Sequence, residues 1–325
     1  MALGFGKVFS KTKKDNSPLL EVTQPSNFGI HDSAEAYFRY LYPKNNDTPL
    51  TIPQKLVVDV VKDSLQKKEF RHKAVPRLPS VIPRLLRSIR DPDSSVKDYV
   101  DIINKDPVMS AAVLKLANSV YFNPVGSRID EIERAIVKLG IDGLRSVLSA
   151  AVMQPIIQRE SAYFSQTGQK MWLHSLNCAV ACELIAEHRK IEKFKVYVMG
   201  LVHDIGKITI FSELCKQFKI NKEDALPGYK AFVPLMKILS PAVSYWVAKD
   251  WELPPEICKA LAEQVNLQAG NKVSPFAHVL YQANMAAEIY ASMYVQNERL
   301  AMSVLDKMDL PKDLFNNLEK LSRDI

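Results

Sequence analysis

The sequence has 325 residues, is 47% apolar and carries a net charge of +7. A chain of this size and apolar content can bury a sizeable core, as one large domain or as two lobes. No apolar run reaches the length needed to cross a bilayer, and the N-terminus MALGFGKVFSKTKK lacks the h-region of a secretory signal. Cys178, Cys182, Cys215 and Cys258 show no CxxC spacing, which argues for a reducing, cytoplasmic setting and against a disulfide framework.

The charge is uneven. Residues 1–90 hold 16 Lys/Arg against 8 Asp/Glu, and the remainder holds 27 against 28. Dispersed basic residues with no interleaved aromatic motif read as a solvated helix face, with nucleic-acid binding as the alternative. Few hairpin signals occur, and Asp142-Gly143 lies in a helical context, so the sequence reads as all-α.

In chain order, residues 1–30 read as an extended or partly disordered arm. Residues 32–42 form a short helix with Asp32 as its N-cap, and 52–69 a longer one whose Leu56, Val57, Val60, Val61 and Leu65 make an apolar face. Within residues 78–90 a helix with Ser80 as its N-cap stops at Asp91-Pro92-Asp93, and Ser94 or Ser95 starts the next. Asp106-Pro107 is an acidic cap followed by proline at the first helical position. Asn118-Ser119 closes that helix, as a C-terminal cap with a side-chain hydrogen bond that pins the following turn. Residues 130–139 form a helix ended by Gly140, and 141–159 a long one.

Helices are predicted over 160–190 and 194–211, with a less regular stretch from Phe211-Ser212-Glu213 to about 230, where Pro227-Gly228 is a loop. Two or three helices follow, interrupted at Pro234 and Pro241, then one from Glu256 and one over 274–292. The tail is an amphipathic helix capped near Asp309, with Pro311 close behind.

The chemistry gathers in WLHSLNCAVACELIAEHRKIEKFKVYVMGLVHDIGKITI, residues 172–210. His174 shares a helix face with Cys178 and Cys182. A buried run ends in His203-Asp204, with Lys207 just beyond. A His–Asp pair at a helix end, facing a His from another helix, can ligate a divalent ion. Zinc held by His174, Cys178 and Cys182 is excluded, because eight residues of helix span about 12 Å. A second pair, His31-Asp32, lacks the apolar run.

These residues, with DPVMSAAVLKLANSVYF at 106–122, AIVKLG at 135–140 and WELPP at 251–255, resemble the HDOD family, a signalling offshoot of the HD metal-dependent phosphohydrolases. The resemblance implies a compact helical domain over 75–292, with an N-terminal arm and accessory helices at 1–74 and a C-terminal extension at 293–325. It also implies an H…HD…D ligand set. Three ligands match as His174, His203 and Asp204. The fourth falls on Asn284, a neutral amide where the pattern has a carboxylate, and the further histidines and GYP motif of the related HD-GYP enzymes are missing.

Three states remain open: a neutral hydrogen-bonded cluster that ties three helices together, a single divalent ion without turnover, and hydrolysis of a nucleotide or cyclic dinucleotide. Lys207 is a candidate phosphate contact, with a solvent-end lysine as the alternative. The resemblance implies a non-catalytic module with a protein partner in a signalling pathway.

Overall fold

The structure, a computed structural model, describes residues 18–23, 30–42, 49–88, 96–104, 106–157, 165–220, 228–294 and 297–323. The predicted break at Asp91-Pro92-Asp93, the start at Ser94 or Ser95, and Pro227 lie outside these residues. So does the predicted arm apart from residues 18–23 and the first residue of α1.

The expected all-helical architecture is present. Its elements are β1 (Leu20–Glu21), α1 (Ile30–Leu41), α2 (Ile52–Leu65), α3 (Lys68–Ala74), α4 (Val81–Ser88), α5 (Val96–Asn104), α6 (Pro107–Ala117) and α7 (Ile132–Ile157). There follow α8 (Ser165–Arg189), α9 (Lys193–Val202), α10 (Ile205–Ile220), α11 (Tyr229–Asp250), α12 (Pro255–Glu263), β2 (Lys272–Val273) and α13 (Pro275–Ile289). A π-turn (Tyr290–Tyr294) leads to α14 (Glu298–Lys307) and α15 (Leu314–Ser322). The two short strands pair antiparallel, Leu20 opposite Val273 and Glu21 opposite Lys272.

Local chemistry explains the boundaries. The Asp106 carboxylate accepts from Val108 N (2.9 Å) and Met109 N (3.2 Å), and Pro107 opens α6 without a wasted donor. Asn118 caps α6 and exchanges two bonds with Ile129, its amide donating to Ile129 O (2.7 Å) and its oxygen accepting from Ile129 N (2.8 Å). Ser119 Oγ donates back to Leu116 O. These residues pin a turn, as their sequence suggests. Gly140, at φ 68°, breaks α7 at the expected point.

Several boundaries differ from expectation. The predicted 194–211 helix is two helices, broken at His203-Asp204, and the second runs to Ile220 through Phe211-Ser212-Glu213. Phe211 and Phe218 pack on Phe232 with ring centroids 5.4 Å and 6.1 Å away, so an apolar face continues past the polar residues. Pro234 and Pro241 lie inside one continuous helix, α11, because burial along one face outweighs the lost backbone bonds. By length and composition α11 could also cross a membrane, contrary to the sequence reading, although 67% of its apolar window is buried within the fold. Asp32 lies in the first turn of α1 and does not precede it. The last helix starts at Leu314, after Asp313, while Asp309 takes a left-handed φ of 52°.

The core runs through α8, α9, α10, α11 and α13. Two glycines set its close crossings. A Cβ on Gly200 would stand 2.8 Å from Ala179 Cα, where α9 crosses α8. A Cβ on Gly206 would stand 2.1 Å from Ser240 O, where α10 crosses α11, and Gly206 N donates to Ser244 Oγ (2.9 Å). Gly206→Ala is therefore expected to destabilise the protein by about 2 kcal/mol or more, since backbone has to move. Chemical denaturation against wild type measures this, and an unchanged midpoint would refute the crossing.

Candidate functional site

The break at 203–204 builds the site. His203 is the C-cap of α9. Asp204 directly precedes α10, and its carbonyl accepts the first bond of that helix, from Ile208 N (3.1 Å). An acidic side chain is favoured there by the helix dipole. His174 comes from the middle of α8 and Asn284 from α13. All four are thus on separate, mutually packed elements, apart from the adjacent His–Asp pair.

The structure brings together every residue of the proposed ligand set. One atom each from His174, His203 and Asp204 lie within 4.8 Å of one another. Asn284 Oδ1 is 3.1 Å from His174 Nε2 and 3.0 Å from His203 Nε2. Asp204 Oδ2 is 3.3 Å from His174 Nε2, and Oδ1 is 3.4 Å from His203 Nε2. Nitrogen and oxygen ligands about 2.0–2.2 Å from a divalent ion lie roughly 3.0–3.5 Å from each other, so the donor set fits one.

Hydrogen bonding fixes the protons. His203 Nδ1 is 2.6 Å from Gly200 O and must donate to it, which leaves Nε2 facing the cluster. Without an ion, Nε2 also needs a proton to meet Asn284 Oδ1, so His203 is an imidazolium. Burial opposes that charge, but the Asp204 carboxylate prevails, aided by Cys178, and raises the His203 pKa to about 10. Burial lowers His174 to about 4, against the pull of Asp204, so it is neutral. Burial works against the Asp204 charge too, yet His203 and Lys207 hold its pKa well below the usual carboxylate range. The ion-free cluster therefore contains formal charges and is not the assembly of neutral groups that the sequence suggested.

Lys207 departs from the solvent-end alternative. It is buried in the first turn of α10, where the dipole disfavours it, and donates to Asp204 Oδ2 at 2.8 Å. Its ammonium lies 5.4 Å and 5.5 Å from the ring centroids of Tyr37 and Phe38. It also stands 3.9 Å from Glu288 Oε1. Burial tends to neutralise it, and Asp204 and Glu288 outweigh that and raise its pKa.

Glu288, Ser33 and Tyr37 were missed from sequence. Glu288 lies one turn after Asn284, a spacing that could have exposed it. Ser33 and Tyr37 sit on α1, far away in the chain. Tyr37 is buried with its ring centroid 4.3 Å from that of His174. His278 faces away and contacts Arg189 (2.9 Å) and Glu21 O (3.1 Å), and Cys178 and Cys182 are buried core residues. Asp106, Pro107, Asn118 and Ser119 contribute to the helical lobe and not to this cluster.

His203, Asp204, Lys207, Asn284 and Glu288 line a cavity of about 560 Å³. Phe38 of α1 and Gln264 after α12 lie on its wall. Among the described residues no second group of metal-ligating side chains adjoins it.

An all-helical fold that converges a lone His, a His–Asp corner and a fourth polar side chain in one cluster beside a cavity defines an HD-type domain. The HDOD domain model matches residues 75–267, and the chain belongs to the HDOD family. An uncharacterised protein of Treponema pallidum (strain Nichols) is 23% identical over 216 residues, 65% of this chain and 42% of that protein, so this chain spans less than half of that relative. An HDOD domain protein of unknown function from Geobacter sulfurreducens is similar at 20% identity and a TM-score of 0.57, over 83% of this chain and 99% of that one. A protein from Shewanella amazonensis SB2B, provisionally named a metal-dependent phosphohydrolase, has a TM-score of 0.59 at 20% identity, over 84% and 99% of the two chains. At these identities the two structures support the fold alone.

The proton assignment has a pH signature. His203 is raised from its ordinary 6.5 to about 10, so its stabilisation is complete below pH 6.5 and is lost as pH rises through about 10. With divalent ions chelated, wild-type stability is expected to fall across that window by up to about 1.4 kcal/mol per pH unit. His203→Gln should flatten the curve in denaturant titrations at pH 6.5, 8 and 9.5. An unchanged slope would place the proton elsewhere.

Proposed function

We propose that this chain is a regulatory HD module of the cytoplasm that acts through protein contacts and does not hydrolyse phosphodiesters. Its HD cluster holds at most one divalent ion. The HDOD body extends over 75–292, with 1–74 and 293–325 as accessory segments.

The observation that supports this reading is Asn284. Of the four converging donors only Asp204 is a carboxylate, and the Lys207 ammonium already engages it at 2.8 Å. A dication here meets one negative charge where a full HD set offers two, so binding is weaker. Hydrolysis also needs an activated water, and one weakly held ion beside a buried ammonium is poorly suited to lowering that water's pKa. The same residues suit a different task. A bound ion would take both imidazole Nε2 atoms, Asp204 and Asn284, and would displace the His203 proton, so occupancy changes the charge of the cavity floor.

Asn284→Asp restores the carboxylate and is expected to tighten Mn²⁺ binding at least tenfold, measured by calorimetry on protein stripped of metal. Wild type should not turn over linear or cyclic dinucleotides with Mn²⁺, Fe²⁺ or Mg²⁺ present. Turnover lost on His203→Ala would overturn the regulatory reading.

A further inference from the structure

An amide has an acceptor end and a donor end, and only the acceptor end can serve an ion. At Asn284 the choice is made by Glu288. Asn284 Nδ2 donates to Glu288 Oε1 at 3.3 Å, which leaves Oδ1 on the two imidazoles. A carboxylate accepts and never donates when ionised, so the reversed amide would set two acceptors against each other. Glu288 is 2% exposed and is itself held: Ser33 Oγ of α1 donates to Oε2 at 2.7 Å. Lys207 Nζ stands 3.9 Å away on its other side. Glu288 also lines the cavity with Asn284, so its carboxyl group faces the same space.

We propose that Glu288 is a positioning residue of the ion site. It holds the Asn284 carbonyl oxygen toward the imidazoles and, from outside the donor set one helical turn further on, makes up in part for the negative charge that asparagine lacks. Ser33 fixes Glu288 in that role and so makes α1, which precedes the matched family region, part of the site. This inference rests on the reading of the HD cluster as an ion site.

The test is a double-substitution cycle read by Mn²⁺ calorimetry on the full chain. In the Asn284 background, Glu288→Met is expected to weaken binding tenfold or more, within the range for groups that orient metal ligands. Ser33→Ala should weaken it less. In the Asn284→Asp background, Glu288→Met should cost clearly less, because the two oxygens of an Asp need no orienting and only the contribution of the charge remains. A merely structural glutamate would give the same loss in both backgrounds, and that result, or no loss in either, overturns the proposal. Binding by Asn284→Asp but not by wild type also overturns it, while leaving the ion site standing in the fold. Uptake by neither removes the ion reading and the proposal together. Thermal melts confirm folding, and Glu288→Gln, which removes the charge alone, replaces Glu288→Met if that variant does not fold.

Discussion

The Asp204 carboxylate is buried among a lysine ammonium and two imidazoles, and the surrounding helices are arranged so that its charge stays compensated. Burying an ion without partners is prohibitive, and removing one partner of a buried pair commonly costs about 3–5 kcal/mol. That constraint accounts for the corner between α9 and α10, which places Asp204 at a helix start. It accounts for Lys207 in a first turn where the helix dipole disfavours it. It also demands close helix crossings, and Gly200 and Gly206 supply them.

Much of this was legible in the sequence because it depends on short-range chemistry. Asp106 with Pro107, Asn118 with its turn, and Gly140 act within a few residues of themselves, and the structure uses each as its type suggests. The His–Asp pair was visible for a similar reason, as polar residues following an apolar run. The convergence of Asn284 on both histidines came from resemblance, and spacing alone would not have supplied it.

What sequence reasoning missed depends on contacts distant in the chain. The charge on Lys207 made it look like a solvent-end residue, and only tertiary packing shows α1 aromatics over it. Beyond its spacing from Asn284, Glu288 carries no signal within its own segment, since its partners Ser33 and Asn284 meet its two oxygens only in the folded chain. Prolines 234 and 241 suggested interruptions, yet α11 remains continuous because its neighbours bury it. In each case burial overrode a local preference.

The Ser33–Glu288 bond joins residues 255 positions apart. During synthesis α1 leaves the ribosome long before its partner on α13. Tyr37 and Phe38 of α1 can already meet His174 of α8 and Lys207 of α10, but until α13 is made the corner lacks Asn284 and Glu288. The cavity is thus completed only after the His–Asp corner has been made, and a chain cut short before residue 288 would carry that corner without the Ser33–Glu288 tie.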